Sequence, residues 1–186
     1  MKNRNKYKSK DIFIYHMIHK CGYLQTLEVF FLEPTRIHFI RSISKKIGLA
    51  QTSVRNHIKF LLENKIILKK QSSPFNGYVA NREDENFIFY KSIYNLSSLK
   101  NLKDFMINSC YPKAVILFGS YLRGEDIEES DIDLFVLSKN KRELDIKKFE
   151  GDLKRRINIL FCDSLNKLDE KIQNKIRNGF VLEGEL

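Results

Sequence analysis

Apolar residues return along this chain at two spacings, and the spacing changes mark its elements. Ile12, Ile14, Met17, Ile18, Leu24, Leu27, Phe30 and Phe31 recur at mostly helical intervals, with Gly22 as a break. One or two helices are therefore expected to end before Pro34. Residues 41–47 (RSISKKI) predict a short helix and residues 48–50 (GLA) a tight turn. Residues 51–64 predict a helix with Val54, Ile58, Leu61 and Leu62 on its inner face. Two helices joined by a Gly-containing turn form a helix-turn-helix arrangement. Residues 66–70 and 78–80 read as short strands around SSPFNG, a hairpin placed as a wing.

The pattern shifts after residue 80. Residues 81–95 read as a joining segment, and Leu96, Leu99, Leu102, Phe105 and Met106 fall at helical spacing before Pro112. Residues 114–118 form an apolar run short enough for a buried strand, and residues 131–137 form a second. Helical character returns over 145–153, a third strand over 157–162, and a last helix over 165–177 before Gly179. Strands alternating with helices predict a small α/β domain with a mixed sheet over residues 93–186, behind a helical and hairpin domain over residues 1–92. The whole chain is thus expected to be α+β. No internal repeat is present.

Charge sharpens this division. Of the 186 residues, 33 are Lys or Arg and 23 are Asp or Glu, a net charge of +10. Residues 1–90 hold 16 of the cations and 7 of the anions, and residues 91–186 hold the remaining 17 and 16. The excess therefore belongs to the first half, which points that half toward a polyanion. A Lys-, Asn- and Ile-rich composition would raise the charge in the same way, so charge alone leaves nucleic-acid binding open. Cys21, Cys110 and Cys162 are far apart and odd in number, which argues against a disulfide framework or a zinc site. His16 and His19 lie three apart on a helical pattern but have no evident third ligand. The basic start is not followed by a signal-peptide core, and no apolar run approaches the ~18 residues needed for a bilayer span. A cytoplasmic protein with no membrane partner is expected.

Residues 115–137, VILFGSYLRGEDIEESDIDLFVL, carry the chemistry. A buried strand running into Gly119 and Ser120, with a helix opening after them, directs backbone N–H groups and a hydroxyl at phosphate oxygens. Asp131 and Asp133 are two apart on the following strand, so both carboxylates leave one face with Cα atoms about 6.5–7 Å apart. Such a pair suits Mg²⁺, which takes oxygen ligands and bridges carboxylates to substrate phosphates. Taken alone, the pair would read as the solvent face of an edge strand. Asp is depleted in strands, and a Gly-Ser turn beside the pair makes the combination more specific.

FGSYLRG followed by SDIDLFV resembles the signature of the minimal nucleotidyltransferases of the DNA polymerase beta superfamily, over about residues 95–186. NGFVLEGEL resembles their closing strand. The resemblance implies that Gly119 and Ser120 hold a triphosphate, that Arg123 assists on phosphate, and that Asp131 and Asp133 ligate two Mg²⁺ ions. It implies transfer of a nucleoside monophosphate from NTP to a hydroxyl. The family's third carboxylate, on a later strand, falls here on Asn158. Asn158 is thus assigned to the catalytic set with Asp131 and Asp133, with a weaker effect on a hydroxyl's pKa than a carboxylate would have. Asp145 and Asp163 are substitutes of lower rank because neither is at mid-strand.

Residues 24–80 resemble the winged helix-turn-helix of prokaryotic transcription regulators. That likeness implies that Gln51, Thr52, Ser53, Arg55, Asn56 and Lys59 face double-stranded DNA, with Lys45, Lys46, Lys69 and Lys70 meeting phosphates. Winged helices also serve as protein-interaction or dimerisation modules. Phe87, Phe89, Tyr90 and Tyr94 are read as packing residues, and the run Lys147, Lys148, Lys154, Arg155, Arg156 as a solvated face. Three functions follow: an active nucleotidyltransferase, a transcription regulator that senses nucleotide, and the antitoxin-type partner of a HEPN protein. Expected partners are NTP with Mg²⁺, duplex DNA, a HEPN-type protein and a second copy of the chain.

Overall fold

A computed structural model describes residues 21–72, 75–139 and 144–186. The helical pattern proposed before residue 21, with His16 and His19, lies outside the described residues, as do Ser73 and Pro74 of the hairpin turn. The chain divides into two compact units, Met1–Asp84 and Glu85–Leu186.

In the first unit, α1 (Gly22–Leu32), α2 (Ile40–Ile47) and α3 (Gln51–Glu63) precede an antiparallel hairpin of β1 (Ile67–Lys70) and β2 (Gly77–Ala80). Gly22 opens α1 rather than breaking it. The Ser42 hydroxyl accepts from the Phe39 N–H at 3.2 Å, meeting one backbone group at the α2 start. Gly48 closes α2 at φ 70°, a conformation that costs glycine little. Along α3, Val54, Ile58 and Leu61 fall at i, i+4 and i+7 and are buried, whereas Leu62 is half-buried. They share the interior with Leu27, Phe30 and Phe31 of α1 and Ile43 of α2. His38 exchanges both backbone bonds with Tyr78, at 2.7 and 2.8 Å, and so adds a third strand residue to the hairpin.

The second unit begins with two helices, α4 (Glu85–Ser98) and α5 (Lys100–Cys110). Most of the proposed joining segment is thus helix, and the 92/93 boundary read from the sequence falls inside α4. Phe87 is buried there, while Phe89 and Tyr90 remain exposed. Then come β3 (Ala114–Phe118), the single turn α6 (Ser120–Arg123), β4 (Ile132–Leu137), α7 (Lys147–Leu153), β5 (Ile157–Cys162), a 3₁₀ turn (Leu165–Lys167), α8 (Glu170–Arg177) and β6 (Phe180–Gly184). The helix expected over 165–177 is split, because the Asp169 side chain accepts from the Ile172 N–H at 3.0 Å and starts α8 there.

The sheet order is β5-β4-β3-β6. β3 runs antiparallel to β4 and β6, and β4 runs parallel to β5, so the sheet is mixed. Both faces of β4 are covered beyond its first turn. Leu134 and Val136 join Leu102, Met106 and Tyr121 on one side; Phe135 and Leu137 join Ile116 and Ile176 on the other. Cys110 is buried, Cys162 half-buried and Cys21 exposed, all as free thiols. Among the described residues, no helix is long and apolar enough to cross a membrane.

Candidate active site

Three neighbouring strands bring the motif together. β3 ends at Phe118, whose register partner on β4 is Asp133, and Asp133 is in turn the partner of Asn158 on β5. The chain therefore leaves β3 at Gly119 directly beside Asp133. A Cβ on Gly119 would lie 2.5 Å from Asp133 Oδ2, and Gly119 has φ +85°. Only glycine lets the turn approach this carboxylate without displacing it. Ser120 then starts α6. Gly124 closes that turn at φ 71° beneath α4, where a Cβ would strike the Ile88 carbonyl.

Asp131 immediately precedes β4 and is exposed, so the second strand starts one residue later than expected. Asp133 is half-buried, and Asn158 is exposed. Asn158 Nδ2 donates to Asp133 Oδ1 at 3.1 Å. The amide thus turns its donor, not its carbonyl, toward Asp133. Among the described residues, no three His, Cys, Asp or Glu side chains gather as a metal set. The site instead offers two carboxylates and one amide. Carboxylate oxygens of this kind suit a hard, oxygen-seeking cation, and the absence of a side chain at Gly119 brings the backbone of the turn close against Asp133 Oδ2.

The substitutes for a third carboxylate fall elsewhere. Asp163 follows the far end of β5 and accepts from Lys167 at 2.7 Å, and this bond holds its carboxyl below the usual range. Asp145 precedes α7, with Oδ1 3.4 Å from the Lys147 N–H. Arg123 is exposed, with Nε bonded to Glu125 Oε2 at 2.7 Å.

A buried polar group beneath this site has no counterpart in the sequence reading. Asp126, 1% exposed, takes Lys91 Nζ at 2.9 Å and Asn95 Nδ2 at 2.8 Å on Oδ1, and an Arg155 guanidinium N–H at 3.2 Å on Oδ2. Lys91 also donates to the Asp126 carbonyl. Asn95 Nδ2 reaches the Tyr121 carbonyl at 2.7 Å, and the Tyr121 hydroxyl meets Ser98 Oγ at 2.9 Å. Burial pushes the Tyr121 hydroxyl up to about 12, so it stays protonated. α4 is thereby fixed to the turn after Ser120, to the approach to Asp131 and to the start of β5. Arg155 is accordingly buried, not part of a solvated basic face. The available signal was Asp126, Lys91 and Arg155 flanking apolar segments, which ordinary surface residues also do.

In the first unit, Gln51, Thr52, Arg55, Asn56 and Lys59 are exposed on α3, and Ser53 is half-buried. Lys69 and Lys70 are exposed on β1. Lys46 is engaged by Glu33 at 2.8 Å and Lys59 by Glu63 at 3.8 Å.

Residues 100–183 match the family described as polymerase beta, nucleotidyltransferase, so the second unit carries a nucleotidyltransferase-type domain. The superfamily's domains generally use NTP and a divalent metal. The "Putative protein adenylyltransferase" of Methanocaldococcus jannaschii is 41% identical to this chain over 63 residues, covering 30% of the chain and 43% of that protein. The chain thus spans less than half the length of that relative. No solved structure matches significantly.

Proposed function

We propose that the second unit binds an NTP with Mg²⁺ and transfers its nucleoside monophosphate to a hydroxyl acceptor on a protein. The observation that carries this reading is the meeting of Gly119, at the end of β3, with Asp133 and Asn158 on the next two strands, and Asp131 just before β4. Asp131 and Asp133 would hold the metal, which when bound supplies charge stabilisation to the reacting phosphoryl group. The turn at Gly119 and Ser120 receives the phosphates. The acceptor oxygen forms a bond to the α-phosphorus while the bond to the bridging oxygen breaks. Pyrophosphate leaves, and the hydroxyl proton passes to water. The protein acceptor rests on the likeness to the archaeal relative.

Asn158 supports a second reading. Its donor satisfies Asp133 where the family places a third carboxylate, an arrangement suited to holding nucleotide with slow transfer. On that reading the chain is a regulator, or the partner of a HEPN-type protein, that binds nucleotide. For the first unit, the exposed α3 face with Arg55 and Lys59 and the Lys69–Lys70 hairpin support a winged helix-turn-helix that binds duplex DNA in the cytoplasm.

Calorimetry tests the nucleotide reading. Wild type should bind NTP only with Mg²⁺ or Mn²⁺, and Asp131→Asn with Asp133→Asn should abolish binding. Unchanged metal-dependent binding in the double variant would refute the assignment.

A further inference from the structure

Beside Asp131 lies a cavity of about 710 Å³, walled by the loop 128–131, by Glu150 and Gly151 of α7, and by Lys154, Arg155 and Arg156. Its position relative to the strands is informative. The Ile132 N–H donates to the Arg156 carbonyl at 2.8 Å, the bond that opens the parallel β4–β5 ladder at Ile132↔Ile157. Asp131 and Arg156 each stand one residue before that first pair, and both line the cavity. Arg156 immediately precedes β5 and is exposed, while Arg155 turns inward to Asp126. Gly119 and Ser120 lie on the β3 side of Asp133, and the cavity lies on the β5 side. A nucleotide held at the Gly119–Ser120 turn thus leaves the cavity beside Asp131 to an acceptor.

We infer that this cavity receives the acceptor and that Arg156 selects a polypeptide hydroxyl with a carboxylate side chain next to it. The inference rests on the nucleotide reading above. Arg156 is exposed and, among the described residues, forms no ion pair. A guanidinium presents a planar donor fork that fits a carboxylate in two-point contact. Lys154, also exposed, lines the same cavity. Glu128, Glu129 and Asp131 line the cavity too. Those carboxylates work against a polyanion such as a nucleic-acid end, because like charges in close quarters repel. A peptide carrying a single acidic side chain is compatible with this mixed lining. The Glu150 carboxylate is already tied to the Ile157 N–H at 3.0 Å and holds the β5 entry in place.

The test uses the full chain with Mg²⁺ and a non-hydrolysable NTP analogue. Binding is measured by fluorescence anisotropy for serine and tyrosine peptides flanked by one Asp, one Lys or neutral residues, and for a single-stranded oligonucleotide with a free 3′-hydroxyl. Wild type should bind the Asp-flanked peptides at least about tenfold more tightly than the Lys-flanked ones. Arg156→Glu should reverse the order and Arg156→Ala should erase it, with metal-dependent nucleotide binding unchanged by calorimetry in both. Intact nucleotide binding without this discrimination, or a preference for the oligonucleotide, overturns the inference and leaves the nucleotide reading standing. Loss of nucleotide binding in Arg156→Ala would move Arg156 to the phosphate side and also overturns it. Failure of wild type to bind nucleotide would remove both.

Discussion

Asn158 Nδ2 donates to Asp133 Oδ1 across 3.1 Å, and the two residues are direct partners in the parallel β4–β5 ladder. The amide serves the carboxylate that stands beside Gly119. Asn158→Asp exchanges that donor for a third negative charge. Without metal the variant should be less stable by about 1 kcal/mol, because a hydrogen bond to a partly exposed carboxylate is replaced by repulsion. At saturating NTP and Mg²⁺, transfer should rise at least about tenfold, a barrier change of about 1.4 kcal/mol. Parallel denaturant titrations and transfer assays check both arms. Reduced transfer would show that the bond from Asn158 to Asp133 is what the site requires.

Gly119→Ala places a methyl 2.5 Å from Asp133 Oδ2 at φ +85°. Either the turn or the carboxylate must move, so metal-dependent NTP affinity should fall by more than about tenfold. Calorimetry on a variant whose melting remains cooperative reads this directly. Unchanged affinity would mean that nucleotide does not need the close approach.

Asp126→Ala would leave Lys91 and Arg155 buried without the carboxylate that receives them. The expected loss is about 3–5 kcal/mol in urea unfolding, the range for breaking a buried ion pair from one side. Surface substitutions such as Lys148→Ala should stay within about 0.5 kcal/mol of wild type. A loss below about 1 kcal/mol at Asp126 would show that water reaches the cluster.

On α3, Arg55→Ala should reduce discrimination between DNA sequences more than Lys70→Ala does. Contacts to base edges specify, whereas contacts to phosphates position. Gel shifts at several salt concentrations separate the two effects, and the affinity of residues 1–90 should fall steeply with salt. Absence of binding at low salt would assign the first unit to protein contacts.

Burial lowers the His57 pKa below 6.5, and Nδ1 stands 2.9 Å from Thr26 Oγ1. The unfolded chain therefore takes up this proton at a higher pH than the folded chain does. Stability from this group is present above the unfolded value of 6.5 and is lost as pH falls through that value toward the lower folded one. His57→Gln should flatten the acid side of the stability profile. NMR titration of the full chain should give a His57 midpoint below 6.5.

The sequence by itself determined the local chemistry of the site and most of its strands. The ranges 114–118 and 157–162 coincide with β3 and β5, and the alternation through Ile132, Leu134 and Val136 marks one buried face of β4. Gly119 was legible because a glycine at a strand end is a backbone requirement, felt within a residue or two. Asn158 was legible through the resemblance to the nucleotidyltransferases, whose third carboxylate position falls on it. The tertiary structure alone decided which group Asn158 serves, since the direction of an amide depends on a partner 25 residues away. It also decided that Lys91, Asp126 and Arg155 meet inside the unit. Lys91 and Asp126 are 35 residues apart, Asp126 and Arg155 are 29, and each looks locally like a solvated residue. Only packing α4 against the approach to β4 and β5 removes them from water, and in that setting each charge requires the others. The second covered face of β4 has the same origin, because α8 supplies Ile176 from far along the chain. Side-chain periodicity reports the backbone a few residues at a time; burial of charge and the partner of a donor are properties of the assembled core.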